Sequence, residues 1–277
     1  MLENPFILEP YQSKAYFCDR EKETEEIIRN ITNGRNTTLI SPRRLGKTGL
    51  IFRVFDEMMA RKLPYETIYC DISDTLSLEE FIKVISDAVV SKLEKQQKIT
   101  AFFKTLKSVR PLLGIDPLTG SPQVSFTFAD DSQKQSTLKE VMDYLERYPQ
   151  KVVLAIDEFQ QIREYNDVNM EAVLRKHIQH LHNVRFIYCG SKKHTMTDMF
   201  TNAKKPFYES TSYPIFPSCL FRFIRLSSRR NSNRRERPST MIPSALSSNG
   251  RKTILTIRNG CVMKCSPFPE MSSSGMI

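Results

Sequence analysis

The sequence predicts an α/β fold in which a mainly parallel sheet is sandwiched by helices, and three observations lead there. Short apolar runs of strand length alternate with longer stretches whose apolar residues recur at helical spacing. One run, Val152-Val153-Leu154-Ala155-Ile156, is apolar at every position, as in a strand covered on both faces. Polar and charged residues then follow the strand candidates at their carboxyl ends, the edge where open α/β sheets bind ligands.

The elements follow in order. Residues 21–33 have helical spacing, with Asp19 placed as N-cap and Gly34 as terminator. Thr38-Leu39-Ile40 is a strand, and Leu50, Ile51, Val54, Phe55, Met58 and Met59 mark the next helix. A second strand spans residues 66–71, and Ser77-x-x-Glu80 is a capping box that opens another helix. Lys92, Lys95, Lys98, Lys104 and Lys107 read as a solvated helix face. Residues 111–128, with Pro117, Gly120 and Pro122, read as an insertion or long loop before a capping box at Thr137-x-x-Glu140. The apolar strand ending at Ile156 follows, then a helix from Val168 to about His182 and a strand over 184–189. Tyr213-Pro214-Ile215-Phe216 suits a last edge strand.

Two of the strand ends carry chemistry. Ser41-Pro42-Arg43-Arg44-Leu45-Gly46-Lys47-Thr48 lies between a strand and a helix, where inward-turned backbone N–H groups and the helix N-terminus form an anion site. The spacing matches the Walker A pattern G-x-x-x-x-G-K-S/T except at Ser41, which stands where glycine is usual. Residues 41–49, Gly49 included, are therefore the expected nucleotide-binding segment, with Lys47 on the β- and γ-phosphates and Thr48 as a Mg²⁺ ligand. Asp157 and Glu158 end the apolar strand. In a Walker B role Asp157 is the second metal-side residue, and Glu158 orients and polarises the attacking water. ATP and Mg²⁺ are the expected ligands.

A strand candidate between the two motifs, together with the glutamate after the aspartate, points to a P-loop NTPase of the additional-strand type with a five-stranded sheet. Ser191, after Gly190 at the end of the 184–189 strand, is a sensor for the γ-phosphate or a simple strand-to-helix turn.

The ordered set resembles the archaeal-type P-loop ATPases of the AAA+-related STAND class over residues 5–214. Phe17-Cys18-Asp19-Arg20-Glu21-x-Glu23 is similar to that family's aromatic-x-Gly-Arg-Glu box near the adenine, with Asp19 in place of glycine. Ser41-Pro42-Arg43-Arg44-Leu45-Gly46-Lys47-Thr48 is similar to its Pro-Arg-Arg-x-Gly-Lys-Thr loop, Ile156-Asp157-Glu158-Phe159-Gln160 to its Walker B, and Cys189-Gly190-Ser191 to its sensor strand. The resemblance implies an ATPase core over residues 1–214, followed in the family by a helical lid and a winged-helix region that nothing in 220–277 resembles.

Composition divides at the same place. Residues 1–214 hold 30 Lys+Arg against 29 Asp+Glu, whereas residues 215–277 hold 11 against 2, so the tail carries nearly all of the net charge of +10. It is rich in Ser and Arg without sustained periodicity, a composition expected to be disordered or non-native. Either it is a basic arm that binds nucleic acid through phosphate, or the chain is truncated or read out of frame after Pro214. No apolar run approaches the ~18 residues of a membrane span, and Met1-Leu2-Glu3-Asn4-Pro5 lacks signal-peptide character, so a cytoplasmic location is expected. Cys70 and Cys189 fall inside strands as small hydrophobes, Cys261 and Cys265 lack the companions of a zinc site, and His177, His180 and His182 read as a solvated helix end. Three functions fit: an ATP-driven conformational switch that hydrolyses slowly, a DNA-associated ATPase akin to replication initiators, or a nucleotide-binding module without turnover. A protein partner or self-association would act through the core.

Overall fold

The computed structural model describes residues 20–212 apart from Arg44, Glu94, Lys95, Asp116, Leu118, Thr119, Ser121 and Asp167. The Phe17-Cys18-Asp19 part of the first box, the strand expected at 213–216 and the basic tail lie outside the described residues.

Chain order is α1 (Glu21–Thr32), β1 (Thr37–Ile40), α2 (Lys47–Ala60), β2 (Tyr65–Asp71), α3 (Leu78–Lys92), α4 (Gln96–Thr105), β3 (Leu112–Ile115), β4 (Pro122–Ser125), α5 (Asp131–Glu146), β5 (Lys151–Asp157), a 3-10 helix (Phe159–Glu164), α6 (Met170–Ile178), β6 (Val184–Gly190) and α7 (Lys193–Thr201). Four of the strands form a parallel sheet in the order β1-β6-β5-β2. Beside β1, Ser212 makes an isolated parallel bridge with Thr37 and exchanges backbone bonds with Asn36 and Thr38, each of 2.9 Å, so among the described residues the sheet has four of the five strands expected. The strand inserted between the loop-bearing β1 and the acidic β5 is β6. β2, which comes between the two motifs in sequence, lies beyond β5 at the opposite side of the sheet.

β5 shows why the sheet has helices on both sides. Its residues alternate, so Val152, Leu154 and Ile156 enter one core with Ile85 and Val89 of α3 and Val141 and Leu145 of α5. Val153 and Ala155 enter the other, with Ile27 and Ile31 of α1 and Ile51 and Val54 of α2. All five are fully buried. Each large aliphatic side chain so placed stabilises the fold by about 1.5–3 kcal/mol relative to exposure. An aromatic group fastens the 3-10 helix to β6 and α7: the Phe159 ring lies 4.5 Å from Tyr188, 5.4 Å from Phe207 and 5.9 Å from Phe200, centroid to centroid.

Ser77 caps α3, its side chain accepting from Glu80 N at 3.2 Å, while Glu80 reaches back to Leu76 N. The box at Thr137-x-x-Glu140 is corrected. α5 starts at Asp131, and Asp130 is its cap, accepting from Gln133 N at 2.7 Å while the Gln133 side chain accepts from Ala129 N at 2.6 Å. Thr137 lies inside the helix and donates back to Gln133 O, and Glu140 receives the N–H groups of Lys107 and Ser108. The insertion at 111–128 contains a β-hairpin, because β3 and β4 pair antiparallel. α6 begins later than the periodicity suggested, at Met170, since the Asn169 side chain caps it. The residue immediately before α1 is Arg20, which makes no side-chain cap bond. No described helix is long and apolar enough to cross a membrane.

Candidate functional site

The carboxyl ends of β1, β5 and β6 bring most of the expected site residues to one edge of the sheet. Ser41 leaves β1 buried, and its N–H donates to Gly190 O at 3.2 Å, so the loop begins as an extension of the β1–β6 ladder. Its φ is not positive, and a residue with a side chain is therefore tolerated where the motif usually has glycine. Gly46 is the position that needs glycine: φ is 72° and ψ 27°, and its carbonyl accepts the first helical bond from Leu50 N. That left-handed turn aims the start of α2 back across the loop, so Lys47, Thr48 and Gly49 form its first turn with their N–H groups at the positive end of the helix. The Lys47 ammonium folds onto Pro42 O at 3.4 Å, Arg43 is exposed in the turn, and Arg44 is outside the described residues.

Thr48 Oγ1 donates to Asp157 Oδ2 at 2.7 Å, joining residues 109 apart in sequence. Tyr69, on β2, donates its hydroxyl to the same oxygen at 3.1 Å, and Glu158 N holds the other oxygen at 2.9 Å. The Asp157 side chain is thus nearly buried and fixed through both oxygens. Burial, with the Asp157 carboxylate next in importance, pushes the Tyr69 phenol far above its usual range, so it stays a neutral donor. The same two causes push the Cys189 thiol well up, and Cys189, like Cys70, is a buried free thiol of low reactivity.

Glu158 departs from ordinary backbone geometry, with φ 53° and ψ 39°, a conformation costing a residue with a Cβ about 1–2 kcal/mol. The turn carries its side chain from the end of β5 toward the end of β6. There Ser191 Oγ donates to Glu158 Oε2 at 2.6 Å, and Gln160 Nε2 donates to the same oxygen. Ser191 N in turn donates to Gln160 Oε1 at 3.2 Å. Arg20 closes the loop from the other side: its guanidinium donates to Leu45 O at 3.1 Å and pairs with Glu23 at 3.6 Å. A small crevice beside the loop is lined by Arg20, Leu39, Ser41, Gly46, Lys47 and Leu50.

The sequence assigns Tyr69 no role, and Arg20 and Gln160 enter there only as members of the first box and of the Walker B stretch. Gln160 stands two residues after Glu158, a spacing that in a helix turns the two side chains apart. The left-handed turn is what brings the two side chains together. Tyr69 was reachable only through register, since β2 pairs with β5 residue by residue up to Asp71 opposite Asp157.

The fold is an α/β sheet of parallel strands with helices on both faces, and the loop before α2 and the acidic end of β5 meet at its carboxyl edge. No family model matches the chain, and no curated protein does. Solved structures with similarity to it include the Walker-type ATPase PABY2304 of Pyrococcus abyssi, with 20% identity over 83% of this chain and 63% of that one and a TM-score of 0.49. The Aeropyrum pernix ORC1 protein in complex with DNA matches at 14% identity over 83% and 54% of the two chains, TM-score 0.48. The ORC2 protein of the same organism, in ADPNP–ADP complexes, matches at 15% over 74% and 49%, TM-score 0.46. The chain spans less than two thirds of the length of each of these three.

Proposed function

We propose that this chain binds ATP and hydrolyses it to ADP and phosphate with Mg²⁺, using the nucleotide state as a conformational switch. The observation that carries the proposal is the 2.7 Å bond between Thr48 Oγ1 and Asp157 Oδ2. It joins the loop motif to the acidic strand end, as phosphoryl-transfer chemistry in this fold requires. The pair also fits a Mg²⁺ ion, which takes hard oxygen ligands, keeps several waters and needs few protein groups. Thr48 and Asp157 would hold it, and when bound it supplies neutralisation of the phosphate charge.

The residues then divide the work. The Lys47 ammonium, now resting on a loop carbonyl, is free to swing to the β- and γ-phosphates, and the N–H groups at the start of α2 face the same anion. The Glu158 carboxylate orients the attacking water and accepts its proton as the water oxygen bonds to the γ-phosphorus. The bond from that phosphorus to the bridging oxygen breaks, leaving the electron pair on ADP. Ser191 Oγ, already at the end of β6 and bonded to Glu158, is the group a γ-phosphate would compete for, which gives the switch a local trigger.

Single-turnover hydrolysis with Mg·ATP tests the proposal. Glu158→Gln is expected to keep ATP bound while lowering the rate by ~10²-fold or more. Equal rates in the two proteins would remove Glu158 from the chemistry, and absence of ATP binding by the wild-type chain would end the proposal.

A further inference from the structure

Gln160 is a buried amide, 2% exposed, and both of its ends are engaged in the site. Nε2 donates to Glu158 Oε2, Oε1 accepts from Ser191 N at 3.2 Å, and Ser191 Oγ donates to Glu158 Oε2 at 2.6 Å. Three residues from two strand ends therefore close into one hydrogen-bonded cycle. Both side-chain donors converge on Oε2, so the cycle constrains the carboxylate while leaving Oε1 outside it. An amide meets this requirement in one side chain, because it donates at one end and accepts at the other. A carboxylate at 160 could not donate to Glu158 at neutral pH, and an aliphatic residue would leave Ser191 N without its partner.

The surroundings are shaped to this side chain. A Cβ on Gly190 would lie 2.5 Å from Gln160 Oε1 and 2.5 Å from Met196 Sδ, so glycine at the end of β6 leaves the space that the amide takes up here. Phe159, between Glu158 and Gln160, is held in the aromatic group against Tyr188 and Phe207, which fixes the backbone from which both polar side chains project.

We infer that Gln160 is a positioning residue of the hydrolytic site: it holds Glu158 Oε2 against Ser191 and so presents Oε1 to the attacking water. The inference rests on the ATPase reading above, and it predicts an effect on the rate of chemistry and not on nucleotide affinity. A reacting group left free to wander loses rate steeply, because small displacements spoil the attack geometry.

The test is a double-mutant cycle on the full chain, read by single-turnover Mg·ATP hydrolysis and by equilibrium ATP binding. Gln160→Met keeps the side-chain length and removes both hydrogen bonds. It is expected to lower the rate ~10- to 100-fold with ATP affinity unchanged within about twofold. In a Glu158→Gln background the same change is expected to alter the residual rate by less than about twofold, because the group through which Gln160 acts has lost its function. A wild-type rate in Gln160→Met, or an equal loss in both backgrounds, overturns the inference. The second result would also be the mark of a purely structural role. Should Gln160→Met fail to fold by circular dichroism, Gln160→Glu has the same shape and replaces the donor by an acceptor. It must show the same loss of rate, and wild-type turnover there overturns the inference equally. A chain that hydrolyses ATP and loses turnover in Glu158→Gln, yet keeps it when Gln160 is replaced, isolates the failure to Gln160 and leaves the ATPase reading standing.

Discussion

The carboxyl edge of the sheet and the β3–β4 hairpin treat their side chains in opposite ways. At the sheet edge, polar groups are drawn from distant parts of the chain and turned on one another: Thr48 and Tyr69 on Asp157, Ser191 and Gln160 on Glu158, Arg20 on the loop carbonyl of Leu45. On the hairpin, apolar side chains stand in solvent, with Leu112, Leu113 and Ile115 exposed at 69%, 51% and 74%. Its attachment runs through β4, whose Val124 is fully buried in the α3–α5 core and whose Val124 N–H donates to Asp87. The sheet edge also carries backbone strain at Glu158. Strain and buried polar clusters persist only where the surrounding structure over-determines them, and here two packed cores and an aromatic group do so. The contrast separates a region built to place atoms from one attached along a single strand.

Substitutions at the two regions should differ accordingly. The largest expected effect on stability lies at Gly190→Ala, where the new methyl group meets the side-chain ends of the buried Gln160 and Met196 at 2.5 Å and one or both must shift. We expect a loss of about 1–3 kcal/mol. For a domain of this size that is a fall in Tm of about 2–12 °C by thermal unfolding, accompanied by slower hydrolysis. An unchanged Tm would mean that the end of β6 is looser than the geometry indicates. The smallest effect is expected on the hairpin. Leu113→Ser, at a half-exposed position, should change stability by no more than about 0.5 kcal/mol and leave ATP affinity untouched. A large drop in either would show that the hairpin is coupled to the site, and the contrast drawn here would fail.

The parts of the fold and of the candidate site visible in the sequence were those set by local residue type. A strand followed by Gly46-Lys47-Thr48, an apolar run ending in Asp157-Glu158, and a serine cap three residues before a glutamate all act over a few residues, and each stands where it was expected. The misses came from competition and from register. Thr137-x-x-Glu140 and Asp130-x-x-Gln133 are both capping patterns, and the choice between them depends on where the chain leaves the hairpin, which local pattern does not encode. Residues 111–128 were read as an insertion or long loop, although Pro122 starts β4; Gly120, at φ 68°, does lie in the connection between the two strands. Tyr69 and Gln160 owe their roles to strand pairing and to a left-handed turn at Glu158, neither of which any short window of sequence contains. Ser41 was a departure from the motif in sequence and is no departure in structure, since its backbone does not ask for glycine.

The central claim is that this edge of the sheet is a phosphate site, and equilibrium ATP binding in the presence of Mg²⁺ tests it most directly. Lys47 forms no ion pair in the structure among the described residues, its ammonium resting on the Pro42 carbonyl, so its removal should cost the fold little. Lys47→Ala is expected to weaken ATP binding by about 2 kcal/mol or more, roughly 30-fold in Kd, with the thermal stability of the free protein unchanged. Wild-type ATP affinity in the folded Lys47→Ala protein would contradict the account.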